Sequence, residues 1–226
     1  MLARVVSVNV GLPGPLVPAG GTQPTGRTSA IAKAPVQGRV SIGPLGAQGD
    51  AVADPHNHGG PDKALHAHFL QHLAWWAALR GAPLGPGAIG ENLTLAAPLA
   101  GEPEPDEGTF CIGDVVEIGT CMLQVTQPRV PCAKQAERVN IPDGVARVVM
   151  SGRCGLYLRV LQPGDIGAGD VLRLHERPNP GLTVAHAHRF VHQARDDAAL
   201  AASLTHAVGV GDELHHRAER TRAQAP

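Results

Sequence analysis

Aromatic side chains are scarce in this sequence: two Trp, one Tyr and three Phe in 226 residues. Small aliphatic residues must therefore fill whatever core forms, and no aromatic-studded basic stripe is available to stack nucleic-acid bases. Charge of one sign is missing too. A formal net charge of -1 gives no overall attraction to nucleic acid or to an anionic membrane surface, so neither is expected as a partner. No apolar run reaches membrane-spanning length. "MLARVVSVNVGLPG" meets Gly11 and Pro13 before a signal-length apolar stretch, which sets the expectation of a cytoplasmic, unsecreted chain.

Cysteine is sparse and dispersed. Cys111, Cys121, Cys132 and Cys154 contain no CxxC pair, which argues against a zinc ribbon, an iron–sulfur cluster or a thioredoxin-like dithiol. Three further signatures are absent: the GxSxG elbow, the GxxxxGK[ST] phosphate loop and a GxGxxG after a strand.

What is abundant is turn chemistry. With 28 Gly and 20 Pro, the composition suits short strands joined by turns, and 226 residues can bury a sizeable core. "ARVVSVNVG" reads as a strand, and "GRVSIGPLGAQGD" as a short β segment between glycine turns. In "KALHAHFLQHLAWWAALRG" the alternation of Leu65, Ala67 and Phe69 predicts a strand to about His68, followed by a helix ending at Gly81. "CIGDVVEIGTCMLQVTQPR" predicts a hairpin about Gly119–Thr120, and "IPDGVARVVMSG" a short helix. "GLYLRVLQPGDIGAGDVLRLHER" adds two β runs across a Pro–Gly–Asp turn. At "RPNPG" the pattern changes to alanine-rich helical spacing, with starts near Thr183, Asp196 and Gly211–Asp212. The fold class is thus mainly β with α, divided into residues 1–177 and a three-helix unit over 182–226.

Three segments carry candidate chemistry. In "QPRVPCAKQ", Pro131 fixes the backbone before Cys132, while Arg129 and Lys134 can favour its thiolate, the form that attacks or binds a soft metal. A buried structural thiol is the competing reading. In "HNHGGPDKALHAH" the histidine spacings match no standard zinc pattern. A glycine turn with Lys63 could instead approach an anion, or be an ordinary polar turn. In "GAIGENL", Glu91 and Asn92 could cap a turn or bond a heterocycle edge. His186, His188 and His192 share a predicted helix without the intervening glutamate of a zinc protease, and are read as structural.

Taken in order, "PLGAQGD", "HGGPDKALHAH", "AWW", "GENLT", "IGDVVEIG", "QVTQPRVPCAK" and "GLYLRVLQPGDI", followed by "PNPGLTVAHA", resemble the YiiM-type branch of the MOSC domain family. The resemblance implies a coiled β-barrel-like domain followed by three helices, and a molybdenum cofactor (molybdopterin) with Cys132 as the metal ligand. It also implies two-electron reduction of N-hydroxylated compounds such as N-hydroxylated purine bases, with Cys132 and Arg129 at the reacting centre. His58, Gly59, Gly60, Asp62 and Lys63 would line the turn beside the cofactor. Arg129 and Lys134 would hold the pterin phosphate or tune the thiolate, and Glu91 and Asn92 would contact pterin or substrate.

No cysteine cluster or nucleotide fingerprint accompanies these motifs, so electrons are expected from a separate flavin- or ferredoxin-type protein. A persulfide-carrying protein that uses the same Cys132 is the alternative, and a homodimer stays open. "HAHFLQH" departs from the branch's more tyrosine- and proline-rich pattern, which bears on substrate preference.

Overall fold

The computed structural model describes residues 1–224, so Ala225 and Pro226, the end of the expected helical unit, lie outside the described residues. Seven strands form a closed barrel: β1 (Ala3–Val10), β2 (Leu65–Phe69), β3 (Leu93–Ala96), β4 (Val115–Ile118), β5 (Cys121–Pro128), β6 (Leu156–Gln162) and β7 (Val171–Glu176). The order around it is β7, β4, β5, β6, β2, β3, β1, and pairing of β1 with β7 shuts the ring, leaving those strands no open edge.

The β2–β3 pair runs parallel while the other neighbours run antiparallel. A parallel pair needs a crossover. Helix α1 (Leu70–Arg80) supplies it, beginning directly after Phe69 and stopping where Gly81 adopts φ 68°. The expected strand and helix are both present, with β2 one residue longer than read. The β4–β5 hairpin turns through Gly119 and Thr120 as expected.

The few aromatics concentrate in the interior. Phe69, Phe110, Trp76 and Phe190 are at most 1% exposed, and Phe69 stacks on Phe110 at 5.8 Å between ring centroids. Burying each such ring stabilises the fold by about 1.5–3 kcal/mol. Helices α4 (Val184–His192), α5 (Ala198–His206) and α6 (Asp212–Gln224) follow the barrel. Their Val184, Phe190, Leu204 and Leu214 belong to the same buried cluster as Leu123 and Val125 of β5, so barrel and helices share one core.

Two local features depart from the sequence reading. Gly164 and Asp165 are not a turn between two β runs but part of a third short strand, Gly164–Gly167, which pairs with Arg39–Gly43. The backbone of that early segment needs a hydrogen-bonding partner, and Gly164 can pack against Thr120 because it lacks a Cβ, which would lie 2.5 Å from the Thr120 hydroxyl. A helix unforeseen in the sequence, α2 (Ala133–Val139), starts immediately after Cys132, and Asn140 ends it at φ 57°. The next helix, α3 (Gly144–Ser151), has Asp143 as its N-cap and Gly152 at its end, as expected. The helix expected to start near Asp196 is α5, capped by Asp197, whose carboxylate accepts from the Leu200 N–H at 2.9 Å.

Candidate functional site

Cys132 sits where β5 has ended and α2 begins. Its own backbone is extended (φ -131°, ψ 159°), and its carbonyl accepts from the Gln135 N–H at 3.0 Å. Four residues separate Pro128 from the helix, so the sulfur stands at the rim of the barrel. Arg129 is only 4% exposed. A buried guanidinium is costly without an opposite charge and good hydrogen bonds. Arg129 has Nη1 donating to Gln135 Oε1 at 2.5 Å and Nη2 donating to Cys132 Sγ at 3.4 Å.

Partial burial by itself raises the pKa of the Cys132 thiol, yet the His58 imidazole, acting as a hydrogen-bond donor, and the Arg129 charge outweigh it. The pKa falls to about 6, with the Gln135 N–H adding to the effect. The thiolate is therefore the dominant form at neutral pH.

A cavity of about 180 Å³ opens beside this sulfur. Cys132, Arg129, His58, Lys63, Asn92 and Lys134 line it, so six of the residues singled out in the sequence meet in one place although they span residues 58 to 134. Ile31, Leu45, Val52 and Ile89 add apolar wall. This combination of an apolar lining with a few convergent polar groups is the usual composition of a small-molecule site.

The remaining candidates are placed elsewhere. Gly59, Gly60 and Asp62 face a second depression, lined also by Gln127, Arg159, Asp212 and Glu213. There Asp62 accepts from Arg159 Nε at 2.8 Å and from the first N–H of α6, that of Asp212, at 2.7 Å. Its position ties the 58–63 turn to the barrel and to the last helix. Lys63 reinforces that tie through Glu213 at 2.6 Å and the Asn57 carbonyl at 2.7 Å.

Glu91 lies behind the wall, fully buried, where its carboxylate accepts from Gly87 N–H at 2.6 Å, Ile89 N–H at 3.2 Å and the Thr94 hydroxyl at 3.0 Å. Burial pushes its pKa up to about 7. Glu91 thus shapes the turn that presents Ile89 and Asn92. Asn92 in turn accepts from the His66 N–H at 3.1 Å and donates to Asp50 at 2.9 Å.

Sequence reasoning missed four lining residues: Lys33, Asp50, His66 and Tyr157. Lys33 and Asp50 form a buried ion pair from two loops 17 positions apart, and nothing in either loop announces the other. Asp50 and His66 did fall within quoted segments, "PLGAQGD" and "HAHFLQH", so their presence was the available signal. His188 and His192 lie on α4, with His188 Nε2 3.2 Å from the Val149 carbonyl. Among the described residues no group of three or more His, Cys, Asp or Glu side chains could hold a metal ion. A metal at Cys132 would thus need its other ligands from outside the chain.

Comparison with known proteins adds an independent line. The MOSC domain family matches residues 54–173, more than half the chain and the part that contains β2 to β6 and Cys132. The chain is 36% identical over 204 residues to YflK of Bacillus subtilis, covering 90% of this chain and 87% of that protein. It is 34% identical over 161 residues to YiiM of Escherichia coli, covering 68% and 67%. A protein named "Reductase" from Gibberella moniliformis is 35% identical over 170 residues, but the chain spans only 28% of its length. Among solved structures, YiiM from Geobacillus stearothermophilus superimposes with a TM-score of 0.78 at 31% identity, over 97% of this chain and 99% of that one.

Proposed function

This chain belongs to the MOSC domain family, in its YiiM-type branch, and on that premise we propose that the Cys132 cavity holds molybdenum cofactor and serves the reduction of N-hydroxylated compounds, N-hydroxylated purine bases among them. The single observation that carries the reading is the Cys132 sulfur, accepting from the buried Arg129 guanidinium at 3.4 Å at the edge of a cavity large enough for a small molecule. Thiolate is a soft ligand suited to such a metal. Among the described residues no group of three or more His, Cys, Asp or Glu could hold a metal ion, which fits a metal that arrives with ligands of its own. Lys134 lines the same cavity and matches an anionic group such as a phosphate, while the Lys63 ammonium, also on the wall, is engaged by Glu213.

When bound, the cofactor supplies two electrons to the N–O bond. The overall change is R–NHOH + 2e⁻ + 2H⁺ → R–NH₂ + H₂O. Arg129 donates to the sulfur, the neighbouring His58 imidazole favours its thiolate form, and the wall of Ile31, Val52 and Ile89 limits water around the reacting bond. Asn92 spends its amide on the His66 N–H, the Asn9 carbonyl and Asp50, and so fixes the wall of the cavity against which a heterocycle would lie. Electrons come from a separate protein of flavin or ferredoxin type. The name "Reductase" carried by the Gibberella relative agrees with this chemistry.

A persulfide carrier would use the same thiolate, but it would have no need of an enclosed cavity with amide, imidazole and ammonium groups around the sulfur. The test is to produce the protein in cells that make the cofactor, verify molybdenum by metal analysis, and supply an N-hydroxylated base with flavin- and ferredoxin-type donors. Formation of the amine is expected. Loaded protein that reduces nothing with any of these donors would overturn the reading.

A further inference from the structure

Behind the cavity wall lies a row of ionisable side chains that the reading above does not use. His66 and His68 are two apart on β2 and so lie on one face of the strand, while His72 falls in the first turn of α1. Their rings are contiguous, with centroids 5.7 Å apart for His66–His68 and 5.2 Å apart for His68–His72. Beyond them, His72 Nδ1 is 3.6 Å from Glu107 Oε1. All four side chains are buried: His66 is 5% exposed, His68 0%, His72 4% and Glu107 5%.

The row has two ends. His66 lines the Cys132 cavity, and Glu107 follows the exposed Asp106. Within it, His66 Nε2, both ring nitrogens of His68 and His72 Nδ1 have no hydrogen-bond partner. Buried polar atoms are normally paired, so four unpaired nitrogens in adjoining rings call for a reason.

Gly155 makes the arrangement possible. At φ 75°, a Cβ there would lie 2.6 Å from His68 Nδ1 and 2.9 Å from His66 Nε2, while the Gly155 N–H donates to Glu107 Oε1 at 2.7 Å. One glycine leaves space at two rings and anchors the carboxylate.

We propose that His66, His68, His72 and Glu107 form a proton relay linking the Cys132 cavity to the surface beside Asp106, and that it delivers the protons consumed when an N–O bond is reduced. The inference rests on the reductase reading for its purpose, though not for its geometry. Each turnover breaks the N–O bond, places one proton on oxygen to make water and one on nitrogen to make the amine. The electrons enter separately, from the flavin- or ferredoxin-type donor. His66 gives up a ring proton to the cavity, His68 and His72 pass the replacement inward, and Glu107 takes a proton from water.

The electrostatics suit this role. Arg129 and Lys33 act on His66, Arg153 and Asp106 on His72, and Asp106 on Glu107. Burial is the largest influence on every member, pushing Glu107 up to about 7, His66 down to about 3 and His72 down to about 4, with His68 also lowered. Near neutrality the rings are uncharged, each with one donor and one acceptor nitrogen, while Glu107 exchanges its proton readily. Ring spacings above 5 Å allow transfer after a small rotation or across a bridging water.

The decisive experiment reads the rings themselves, in the full chain without cofactor. ¹⁵N-histidine NMR reports which nitrogen of each ring carries the proton, and Glu107→Gln replaces a group that can give or take a proton with one that cannot. A relay predicts altered tautomer populations at His72, His68 and His66 together. A response confined to His72 would overturn it. In molybdenum-loaded protein, His68→Phe is expected to lower turnover at least tenfold with molybdenum content unchanged, and unaltered turnover would likewise overturn the proposal. If wild-type loaded protein reduces nothing, the reductase reading fails while the tautomer measurement still decides whether the rings are coupled. If His68→Phe does not fold, Glu107→Gln decides alone.

Discussion

Arg129 donates to the Cys132 sulfur at 3.4 Å while Gln135 holds the same guanidinium at 2.5 Å. Because this contact favours the thiolate, and the thiolate is the reactive form, alkylation of Cys132 by iodoacetamide is expected to rise with pH about a midpoint near 6 and level off by pH 8. Arg129→Met is expected to move the midpoint upward by about one to two units. A stopped series of pH points with mass-spectrometric readout checks both. A wild-type midpoint in the ordinary range above 8 would contradict the electrostatic account.

Gly155→Ala is expected to be severely destabilising. The backbone is left-handed at φ 75°, and the new methyl would lie 2.5 Å from the Ala67 carbonyl as well as against both histidine rings. Strain of this kind costs about 1–3 kcal/mol before any displacement of the rings is counted. Urea denaturation measures it, and a loss under 1 kcal/mol would show that β2 can move aside.

Glu91→Ala is expected to lower stability by about 1–3 kcal/mol, because two backbone N–H groups and the Thr94 hydroxyl lose their acceptor in the interior. The wild-type carboxyl also imposes a pH dependence. With its pKa raised to about 7 by burial, the folded chain keeps a proton that the unfolded chain releases near pH 4.5, so its contribution declines as pH rises from about 4.5 to 7. Denaturation curves at pH 5 and pH 7 should therefore differ less in the variant than in the wild type.

Asp62→Ala separates support from contact. Losing the acceptor for Arg159 and for the first N–H of α6 is expected to speed amide exchange at residues 212–215 and to lower the melting temperature, while the Cys132 alkylation midpoint stays near 6. A shifted midpoint with unchanged exchange would place Asp62 in the cavity's electrostatics instead.

Much of the fold was legible where a local signal was strong. Alternation through Leu65, Ala67 and Phe69, then Leu73 and Trp76 on a helical face, then Gly81, marks β2 and α1 almost to the residue. By contrast "AKQAERV" is too short and too polar to announce α2, whose start depends on Cys132 and on burial of Gln135, Ala136 and Val139.

For the site, the motif "HGGPDK" reads as one turn, yet His58 faces one cavity, Gly59, Gly60 and Asp62 face another, and Lys63 borders both. Side-chain direction along such a turn depends on local dihedrals, including φ 96° at Gly60, that residue spacing does not encode. The Lys33–Asp50 pair and the His66–Glu107 row join residues distant in sequence, contacts no local pattern announces.

Molybdenum content of the wild type and of Cys132→Ala, both produced in cofactor-competent cells and purified alike, tests the central claim most directly. Cys132 is partly buried and contributes no large side chain to the core, so the variant should fold. The account predicts about one molybdenum per wild-type chain and essentially none in the variant. Equal molybdenum in both proteins would contradict it.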